Sequence, residues 1–314
     1  MSIRKSIFWS REFQILPFLV CLTLGITSIL HGQSFNQTRI AFVSDTQAPM
    51  KIETILLKQN QNVKATGLIF HDILSQKPNS LFILGDVVSL GYKNKKWNKM
   101  DRYLDSCRKA GIHVSAVLGN HDVMTRAKKG EHRFQTRFPD HVRLGFYQIT
   151  DSVAIVSLNS NFSKLSRADI EKQQNWLRTT LHNLDEDKAV LATIVTCHHA
   201  PYSNSKIVGS SAQVQKNFVP EYFESRKACL FITGHSHNYE HFLILGKDFL
   251  VIGGGGGLHQ PLSTQRTDIS GNYKPAFHYV LLQRNDHNLI ISSRYLKENF
   301  DGFENGISFT IKVP

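Results

Sequence analysis

Residues 81–86 have the sequence LFILGD, in which four apolar residues are followed by a glycine and a carboxylate. Short apolar runs bounded by glycine and polar residues are typical of buried β-strands. Four other runs in the chain have the same form, and each ends in carboxylate, amide or imidazole side chains. Their ends are Asp45, residues 119–122 (GNHD), residues 198–199 (HH) and residues 234–237 (GHSH). Because ligands of open α/β sheets bind beyond the carboxyl ends of the strands, we expect these groups to converge at one edge.

Helical patterns lie between and after these strands. Apolar residues at helical spacing predict helices over residues 63–75, 97–107 and 168–184, and Gly111 can close the second helix in a left-handed conformation. Further strands are predicted at residues 242–245, 249–252, 277–283, 289–295 and 307–313. This order predicts a single α/β domain over residues 38–314, a four-layer αββα sandwich of two mixed β-sheets flanked by helices.

The first 32 residues have the features of an export signal rather than of the domain. Basic residues precede an apolar stretch at residues 15–30, which ends near Gly32 and is followed by polar sequence. These are the marks of a secretory signal. The stretch is also close to the roughly 20 residues that a spanning helix needs. We therefore predict a signal peptide or signal anchor over residues 1–32, and an exported protein, periplasmic or secreted, that meets a membrane only if this segment stays uncleaved.

Composition bounds the partners and the redox chemistry of the chain. The formal net charge is +12, and a positive surface favours anionic substrates. The stretch KNKKWNK at residues 93–99 is compatible with nucleic-acid binding, but a solvated loop and helix start is preferred, because no reading module accompanies it. Beyond the export segment, the cysteines are Cys107, Cys197 and Cys229. Three thiols without a C-x-x-C spacing predict buried, unpaired cysteines.

The residue types at the strand ends are those that hold a pair of divalent cations. Two such ions can clamp the attacking and leaving oxygens of a phosphoryl transfer. They need a bridging carboxylate, because a single neutral ligand cannot hold two dications together, and terminal ligands that leave positions open. We assign Asp86 as the bridge, Asp45 as a terminal carboxylate and Asn120 as an amide ligand. The imidazole ligands are His198, His235 and His237.

In this order the motifs resemble those of the calcineurin-like metallophosphoesterase superfamily, and within it the purple-acid-phosphatase-like branch. The superfamily pattern D-x-H, G-D, G-N-H-[DE], H and G-H-x-H is met, apart from its first histidine, at residues 45–47, 85–86, 119–122, 198 and 234–237. The branch resemblance rests on HHAPYS at residues 198–203 and on GHSHNYE at residues 234–240.

The resemblance implies a metallo-dependent phosphatase-like fold and two divalent metal ions, with Mn, Fe or Zn expected. His121 resembles the family's catalytic histidine, which contacts the phosphate and protonates the leaving oxygen, and Asp122 would orient it. A metal-held hydroxide would be the nucleophile, because bound cations lower the pKa of water. The ligands carried over are Asp45, Asp86 and His237 for one ion, and Asp86, Asn120, His198 and His235 for the other.

Departures from the family pattern leave the ligand set open. Gln47 stands where most of the superfamily has histidine, and its amide oxygen can ligate, but more weakly than imidazole. Ser89 stands where purple acid phosphatases carry a tyrosine ligand, so no tyrosinate–iron colour is expected. His198 is preferred to His199 as ligand, because neighbouring strand residues face opposite sides and His199 would then point away, near the substrate mouth. The glycine run at residues 253–257 is interpreted as a tight turn that lets the backbone approach the site.

Together these features predict a metal-dependent phosphomonoesterase or phosphodiesterase that works outside the cytoplasm on a phosphorylated small molecule or phosphoprotein. Two alternatives stay open: a nucleotide or nucleic-acid phosphodiesterase that uses the basic surface, and a non-catalytic binding protein on the same scaffold. Gln47 favours the binding protein, whereas an intact His121 and Asp122 argue against it. The loops at residues 124–143 and 203–215 are predicted to shape the pocket.

Overall fold

The computed structural model describes residues 38–263, 268–270 and 276–313. The strands are β1 Arg39–Val43, β2 Ser80–Ile83, β3 His113–Ala116, β4 Phe146–Thr150, β5 Val153–Ser157, β6 Ala192–Thr196, β7 Ala228–Thr233, β8 Tyr239–Ile244, β9 Lys247–Ile252, β10 His278–Asn285, β11 Asn288–Leu296 and β12 Phe303–Lys312. The helices are α1 Asn62–Gln76, α2 Asn94–Lys109, α3 Ala127–Gln135, α4 Arg167–Glu186, α5 Ala212–Asn217 and α6 Val219–Glu224, with 3₁₀ turns at Glu53–Ile55 and Phe162–Lys164.

The first sheet has the strand order β12-β11-β10-β1-β2-β3. Its strands β1, β2 and β3 are parallel, and α1 and α2 form the crossovers between them. Parallel neighbouring strands need such crossover helices, and the helices cover one face of the sheet. The strands are buried on both faces and are therefore apolar on both. β10 pairs with β1 in the antiparallel direction, so the sheet is mixed. The three parallel strands therefore end at one common edge.

The second sheet has the order β4-β5-β6-β7-β9-β8. The inner strands β5, β6, β7 and β9 are parallel, whereas β4 and β8 pair in the antiparallel direction at its two edges. Helix α4 connects β5 to β6, and α5 and α6 connect β6 to β7. The carboxyl ends of β6 and β7 are thus neighbours, as those of β1, β2 and β3 are in the first sheet.

The two sheets pack face to face, and alternation along each strand divides the core. In β1, Ile40 and Phe42 belong to the cluster between the sheets, together with Ile194 of β6. Ala41 and Val43 of the same strand belong instead to the cluster under α1 and α2. A third cluster fills the space between the second sheet and α4 to α6. Successive strand residues face opposite sides, so these clusters define four layers. The predicted αββα sandwich of two mixed sheets is confirmed.

The predicted helices are present as α1, α2 and α4, with ends that differ by a few residues. Gly111 has φ +81°, and its N–H donates to the Arg108 carbonyl at 2.9 Å, as a left-handed closure of α2 requires. Residues 124–143, expected to be a pocket loop, instead contain α3. The reason is that the buried Phe134 packs edge-on against Trp97 of α2, with ring centroids 6.3 Å apart. Sequence periodicity also did not reveal β4, β5, α5 or α6.

The predicted export segment, residues 1–32, lies outside the described residues and stays a prediction. Within the described part of the chain, no helix is long and apolar enough to cross a membrane. Cys107, Cys197 and Cys229 are free. Burial raises the pKa of the Cys107 thiol to about 11 and that of the Cys229 thiol to about 12, so these thiols are unreactive at neutral pH.

Candidate metal centre

The candidate centre lies where the two sheets present the carboxyl ends of parallel strands. Asp45 follows β1, Asp86 follows β2 and Asn120 follows β3, all in the first sheet. His198 follows β6, and the GHSH segment at residues 234–237 follows β7, both in the second sheet. The structure therefore brings together, from both sheets, the residues that the sequence places at strand ends.

Several of these residues have left-handed backbone conformations, which non-glycine residues rarely adopt. The φ angle is +59° at Asp45, +50° at Asp86 and +67° at His235. The His235 N–H donates to Asp45 Oδ2 at 2.9 Å and ties two of these turns together. Gly234 permits the approach, because a Cβ there would lie 2.5 Å from Asp45 Oδ2. Such conformations cost about 1–3 kcal/mol each, and they cluster at functional sites whose surroundings over-determine them.

The carboxylates and imidazoles approach one another at distances that suit shared metal ions. Ligand atoms of Asp45, Asp86 and His198 all lie within 4.8 Å of one another. His198 Nε2 lies 3.3 Å from Asp86 Oδ2 and 3.2 Å from Asn120 Oδ1. His237 Nε2 lies 3.4 Å from Asp45 Oδ1, a buried oxygen without a hydrogen-bond partner among the described residues. Ligand atoms about 2.0–2.2 Å from one ion are roughly 3–3.5 Å apart, so this donor set fits divalent cations.

Backbone carbonyls orient two of the imidazoles. His198 Nδ1 lies 2.8 Å from the Leu84 oxygen, and His237 Nδ1 lies 2.7 Å from the Leu258 oxygen. Donation from Nδ1 leaves each Nε2 free to bind a metal. Metal-binding histidines usually have a partner of this kind on the other nitrogen, because it fixes the tautomer and the ring orientation.

Burial and neighbouring charges shape the protonation of the site. Burial alone would raise the pKa of Asp86, but the His198 and His121 imidazoles hold it well below its usual range. Burial opposes protonation of His198, yet the Asp86 and Asp45 carboxylates raise its pKa to about 9. The pKa of His235 lies well below its usual range, because the ring is buried and faces His199 and His198. Buried carboxylates need positive charge beside them, and divalent cations meet that need.

Gln47 faces the pocket of the ion assigned to Asp45, Asp86 and His237. One terminal atom of its amide lies 3.5 Å from His237 Nε2. Hydrogen bonding favours the orientation in which the NH₂ group donates to the backbone oxygens of Asp45, at 3.1 Å, and Asp86, at 2.9 Å. In this orientation the amide oxygen is the atom that faces His237. Ligation by Gln47 stays a prediction.

His199 occupies a different place from the one expected. Its ring centroid lies 4.3 Å from that of His235, and its Nδ1 lies 2.8 Å from Ser160 Oγ. The expectation that it points to the opposite side of the strand end is wrong. The reason is that β6 ends at Thr196 and the chain bends at His198 and His199, so strand alternation no longer applies. The contacts of His198 with Asp86 and Asn120 still favour His198 as the ligand.

Asp122 holds backbone rather than the His121 ring. Its carboxylate accepts three backbone N–H groups, from Gly119 at 2.9 Å and from two residues of the loop after β2 at 3.2 and 3.3 Å. It therefore fastens the loop after β3 to the loop after β2. The His121 ring is oriented by the Ser89 carbonyl, 3.3 Å from Nδ1. The prediction that Asp122 orients the His121 ring is wrong, because the Asp122 carboxylate binds backbone N–H groups and the Ser89 carbonyl contacts the ring instead.

Two acidic residues of the site were not assigned from the sequence. Glu53 lies in the 3₁₀ turn before α1, and its Oε1 lies 3.5 Å from His121 Nε2. It belongs to no motif and follows no strand, so no sequence signal marks it. Glu240, the last residue of GHSHNYE, accepts hydrogen bonds from Ser203 Oγ at 2.8 Å and from Ser236 Oγ at 2.9 Å. It links the loop after β6 to the loop after β7, a role that its place in the motif could have suggested.

The glycine run at residues 253–257 packs directly on the site. The N–H groups of Gly255 and Gly257 donate to the carbonyl oxygens of Ser44, at 2.9 Å, and Asp45, at 2.8 Å. A Cβ on Gly257 would lie 2.5 Å from the His237 ring. Only residues without side chains allow this approach, which supports the predicted close turn.

A pocket of about 230 Å³ lies over the candidate ligands. Of the two segments predicted to shape it, residues 203–215 contribute Ile207 and Val208, whereas residues 124–143 contribute no lining residue among those described. The second prediction is wrong because α3 packs on the core instead. The buried end is formed by Asp86, Asn120, His121, His235 and His237, and the remaining lining residues are Glu53, Leu56, Leu57, Ile207, Val208, Leu258 and Gln260.

Comparison with known proteins agrees with this geometry. The sequence model of the calcineurin-like phosphoesterase domain matches residues 38–239, a span that contains every candidate ligand. The chain therefore belongs to the calcineurin-like phosphoesterase family, and the family implies a dinuclear metal site. No curated protein sequence matches the chain significantly.

Solved structures with the same fold include two phosphatases and one anchor protein. Purple acid phosphatase PPD1 from yellow lupin (Lupinus luteus) seeds aligns with a TM-score of 0.68 and 18% identity, over 88% of this chain and 53% of the lupin chain. This chain thus spans about half the length of the lupin enzyme. GAP50, the anchor in the inner membrane complex of Plasmodium, aligns with a TM-score of 0.63 and 15% identity, over 88% and 89%. A dimetal phosphatase from Danio rerio aligns with a TM-score of 0.55 and 13% identity, over 88% and 99%. At these identities the likeness shows the fold.

Proposed function

We propose that this chain is a dinuclear-metal-dependent phosphomonoesterase that acts outside the cytoplasm. The position of Asp86 carries the proposal. Its carboxylate lies within 4.8 Å of ligand atoms of both Asp45, assigned to one ion, and His198, assigned to the other, with Oδ2 3.3 Å from His198 Nε2. A single carboxylate that reaches both donor sets is what a pair of bridged cations requires. The location outside the cytoplasm rests on the predicted export segment, residues 1–32.

The residues of the chain divide the chemical work. When bound, two divalent cations would activate water for attack on phosphorus and neutralise charge on the phosphate oxygens. Asp45, Asp86 and His237 would hold one cation, and Asp86, Asn120, His198 and His235 would hold the other. His121 lies beyond this set, with Nε2 3.5 Å from Glu53 Oε1 and 3.8 Å from Asp86 Oδ2. From that position it can pass a proton to the oxygen of the leaving group.

The alternatives make different use of the same fold. GAP50 is an anchor by its name, so the fold alone does not imply turnover. A binding protein has no need of His121 at the pocket or of a donor set around Asp86. For the nucleic-acid phosphodiesterase, Lys96 and Lys99 of the basic stretch border a separate cavity of about 60 Å³. No lysine or arginine lines the pocket over the ligands, as far as the described residues go. These observations disfavour a polyanionic nucleic acid as the substrate.

Metal reconstitution of the purified full chain tests the proposal. The chain is stripped with chelator, loaded with Mn²⁺, Zn²⁺, Fe²⁺ or Mg²⁺, and assayed on p-nitrophenyl phosphate and bis(p-nitrophenyl) phosphate. We expect metal-dependent hydrolysis that is faster for the monoester. Faster hydrolysis of the diester would favour the phosphodiesterase. Two bound equivalents of metal without hydrolysis of either ester would favour the binding protein. Cell fractionation with an antibody to the chain tests the location.

A further inference from the structure

The pocket over the candidate ligands has an apolar mouth. Leu56 and Leu57 approach it from the segment before α1, and Ile207 and Val208 approach it from the loop after β6. We call these four residues the apolar rim. Leu56 is 82% exposed and Ile207 is 50% exposed, so their side chains meet solvent. Isolated exposed apolar residues are common on proteins, but apolar residues from two distant segments around one polar site indicate a binding surface.

The rim residues have no structural task that would explain their apolar character. None of the four belongs to the buried clusters of the sandwich, in the part of the chain that the structure describes. Ile55 is an apolar neighbour for comparison: it ends the 3₁₀ turn just before Leu56, is 77% exposed and does not line the pocket. The rim residues differ from it in facing the site.

Glu53 is a carboxylate that lines this pocket outside the predicted ligand set. Its Oε1 lies 3.5 Å from His121 Nε2, and its Oε2 accepts the Met50 N–H at 2.5 Å, so the carboxylate is held in place. Among the described residues that line the pocket, there is no lysine or arginine to bind a second anionic group. A substrate with a second phosphate or carboxylate would therefore place that charge near a fixed carboxylate without a cation to compensate it.

We propose that the apolar rim binds the uncharged apolar group of a phosphate monoester, such as a short alkyl chain or a single ring, and that Glu53 disfavours substrates with a second anionic group. This inference rests on the proposed phosphomonoesterase function. The volume of about 230 Å³ holds roughly eight waters, enough for a phosphate and a small apolar group. In the reaction, water oxygen forms a bond to phosphorus, the ester P–O bond breaks, and the leaving oxygen takes a proton and departs as a small apolar alcohol.

A series of n-alkyl phosphates from ethyl to hexyl tests the rim, because these esters have leaving groups of similar acidity. With the metal-loaded full chain, kcat/KM should rise about two- to fourfold for each methylene that the pocket buries. The Leu57→Ser and Ile207→Ser variants should each cut this gain per methylene to less than half. Ile55→Ser, next to the rim in the chain but outside the pocket, should keep the gain of the unaltered chain.

A comparison of substrates with one and with two phosphate groups tests the role of Glu53. The measured quantity is kcat/KM for butanediol bisphosphate, which has a phosphate at each end, divided by kcat/KM for butyl phosphate. The Glu53→Gln variant should raise this ratio about three- to tenfold, because the repelling charge is removed. The ratio cancels any general effect of the variant on His121. A flat alkyl series, an unchanged gain in both rim variants or an unchanged bisphosphate ratio would overturn the inference. These outcomes differ from failure of the proposed function, in which p-nitrophenyl phosphate and every alkyl phosphate would resist hydrolysis with all metals.

Discussion

Replacement of His121 by alanine should slow hydrolysis while leaving the metal ions in place. The imidazole lies outside the proposed ligand set, and its Nδ1 is held by the Ser89 oxygen at 3.3 Å. The backbone N–H of the same residue donates to Asp86 Oδ1 at 2.8 Å, and alanine keeps this bond, so the bridging carboxylate keeps its place. The ring hydrogen bond that is lost contributes about 1 kcal/mol, too little to unfold the domain.

The size of the kinetic effect depends on the leaving group. A positioned general acid accelerates a reaction by about 10²–10⁴-fold, so His121→Ala should slow the hydrolysis of alkyl phosphates by that factor. p-Nitrophenolate departs without a proton, and its ester should lose tenfold or less, on the order of 1.4 kcal/mol in the barrier. The assay compares kcat for both substrates beside metal content by mass spectrometry, with the exposed His182→Ala of α4 as control. Loss of metal, or equal slowing on both substrates, would refute the reasoning.

Substitutions at three further positions test the bridge, the departure at position 47 and a buried histidine. Asp86→Asn removes the charge that both cations share, so metal content and p-nitrophenyl phosphate hydrolysis should fall together; two retained equivalents with full activity would contradict the assignment. Gln47→His should hold its ion longer against chelator, and Gln47→Ala should weaken that ion alone, because imidazole binds transition metals better than an amide; identical Zn²⁺ titrations of all three forms would show that Gln47 is not a ligand. His141 lies between two phenylalanine rings, and burial lowers its pKa to about 4 from 6.5. Its contribution to stability is therefore complete above pH 6.5 and declines as the pH falls toward 4, by up to about 1.4 kcal/mol per pH unit. His141→Phe should remove that decline, which urea unfolding at pH 5 and pH 7 measures. An equal loss of unfolding free energy between pH 7 and pH 5 in the unaltered chain and the variant would contradict the reasoning.

The main elements of the fold could be predicted because their signals are local. The run LFILGD at residues 81–86 becomes β2 and the turn at Asp86, since a buried parallel strand needs apolar residues on both faces. Gly111 could be placed because a helix end in the left-handed conformation favours glycine. Helices α3, α5 and α6 were missed, because they are short and their periodicity does not stand out. Strands β4 and β5 were also missed.

The candidate site was predictable in its residue types and less so in its contacts. Asp45, Asp86, Asn120, His198 and residues 234–237 could be assigned together, because parallel strand ends share one edge of a sheet. The placement of His199 beside His235 could not, because it depends on a bend after β6 that alternation along a strand does not describe. Nor could the hydrogen bonds of Asp122, since a carboxylate in a motif has the same sequence signature whether it meets a ring or a backbone amide.

The amino-acid sequence by itself determined the sandwich, the strand ends and the donor types, because each follows from periodicity or backbone preference within a few residues. The tertiary structure alone decided which donors meet and what lies over them. Glu53 Oε1 lies 3.5 Å from His121 Nε2, although the two residues are 68 positions apart in the chain. Leu57 and Ile207 line the same pocket, although they are even further apart in the sequence. Glu53 and His121 follow strands of the same sheet, so the course of the two loops sets their distance, whereas Leu57 and Ile207 follow strands of different sheets and meet because the two sheets pack together. No local pattern encodes either contact.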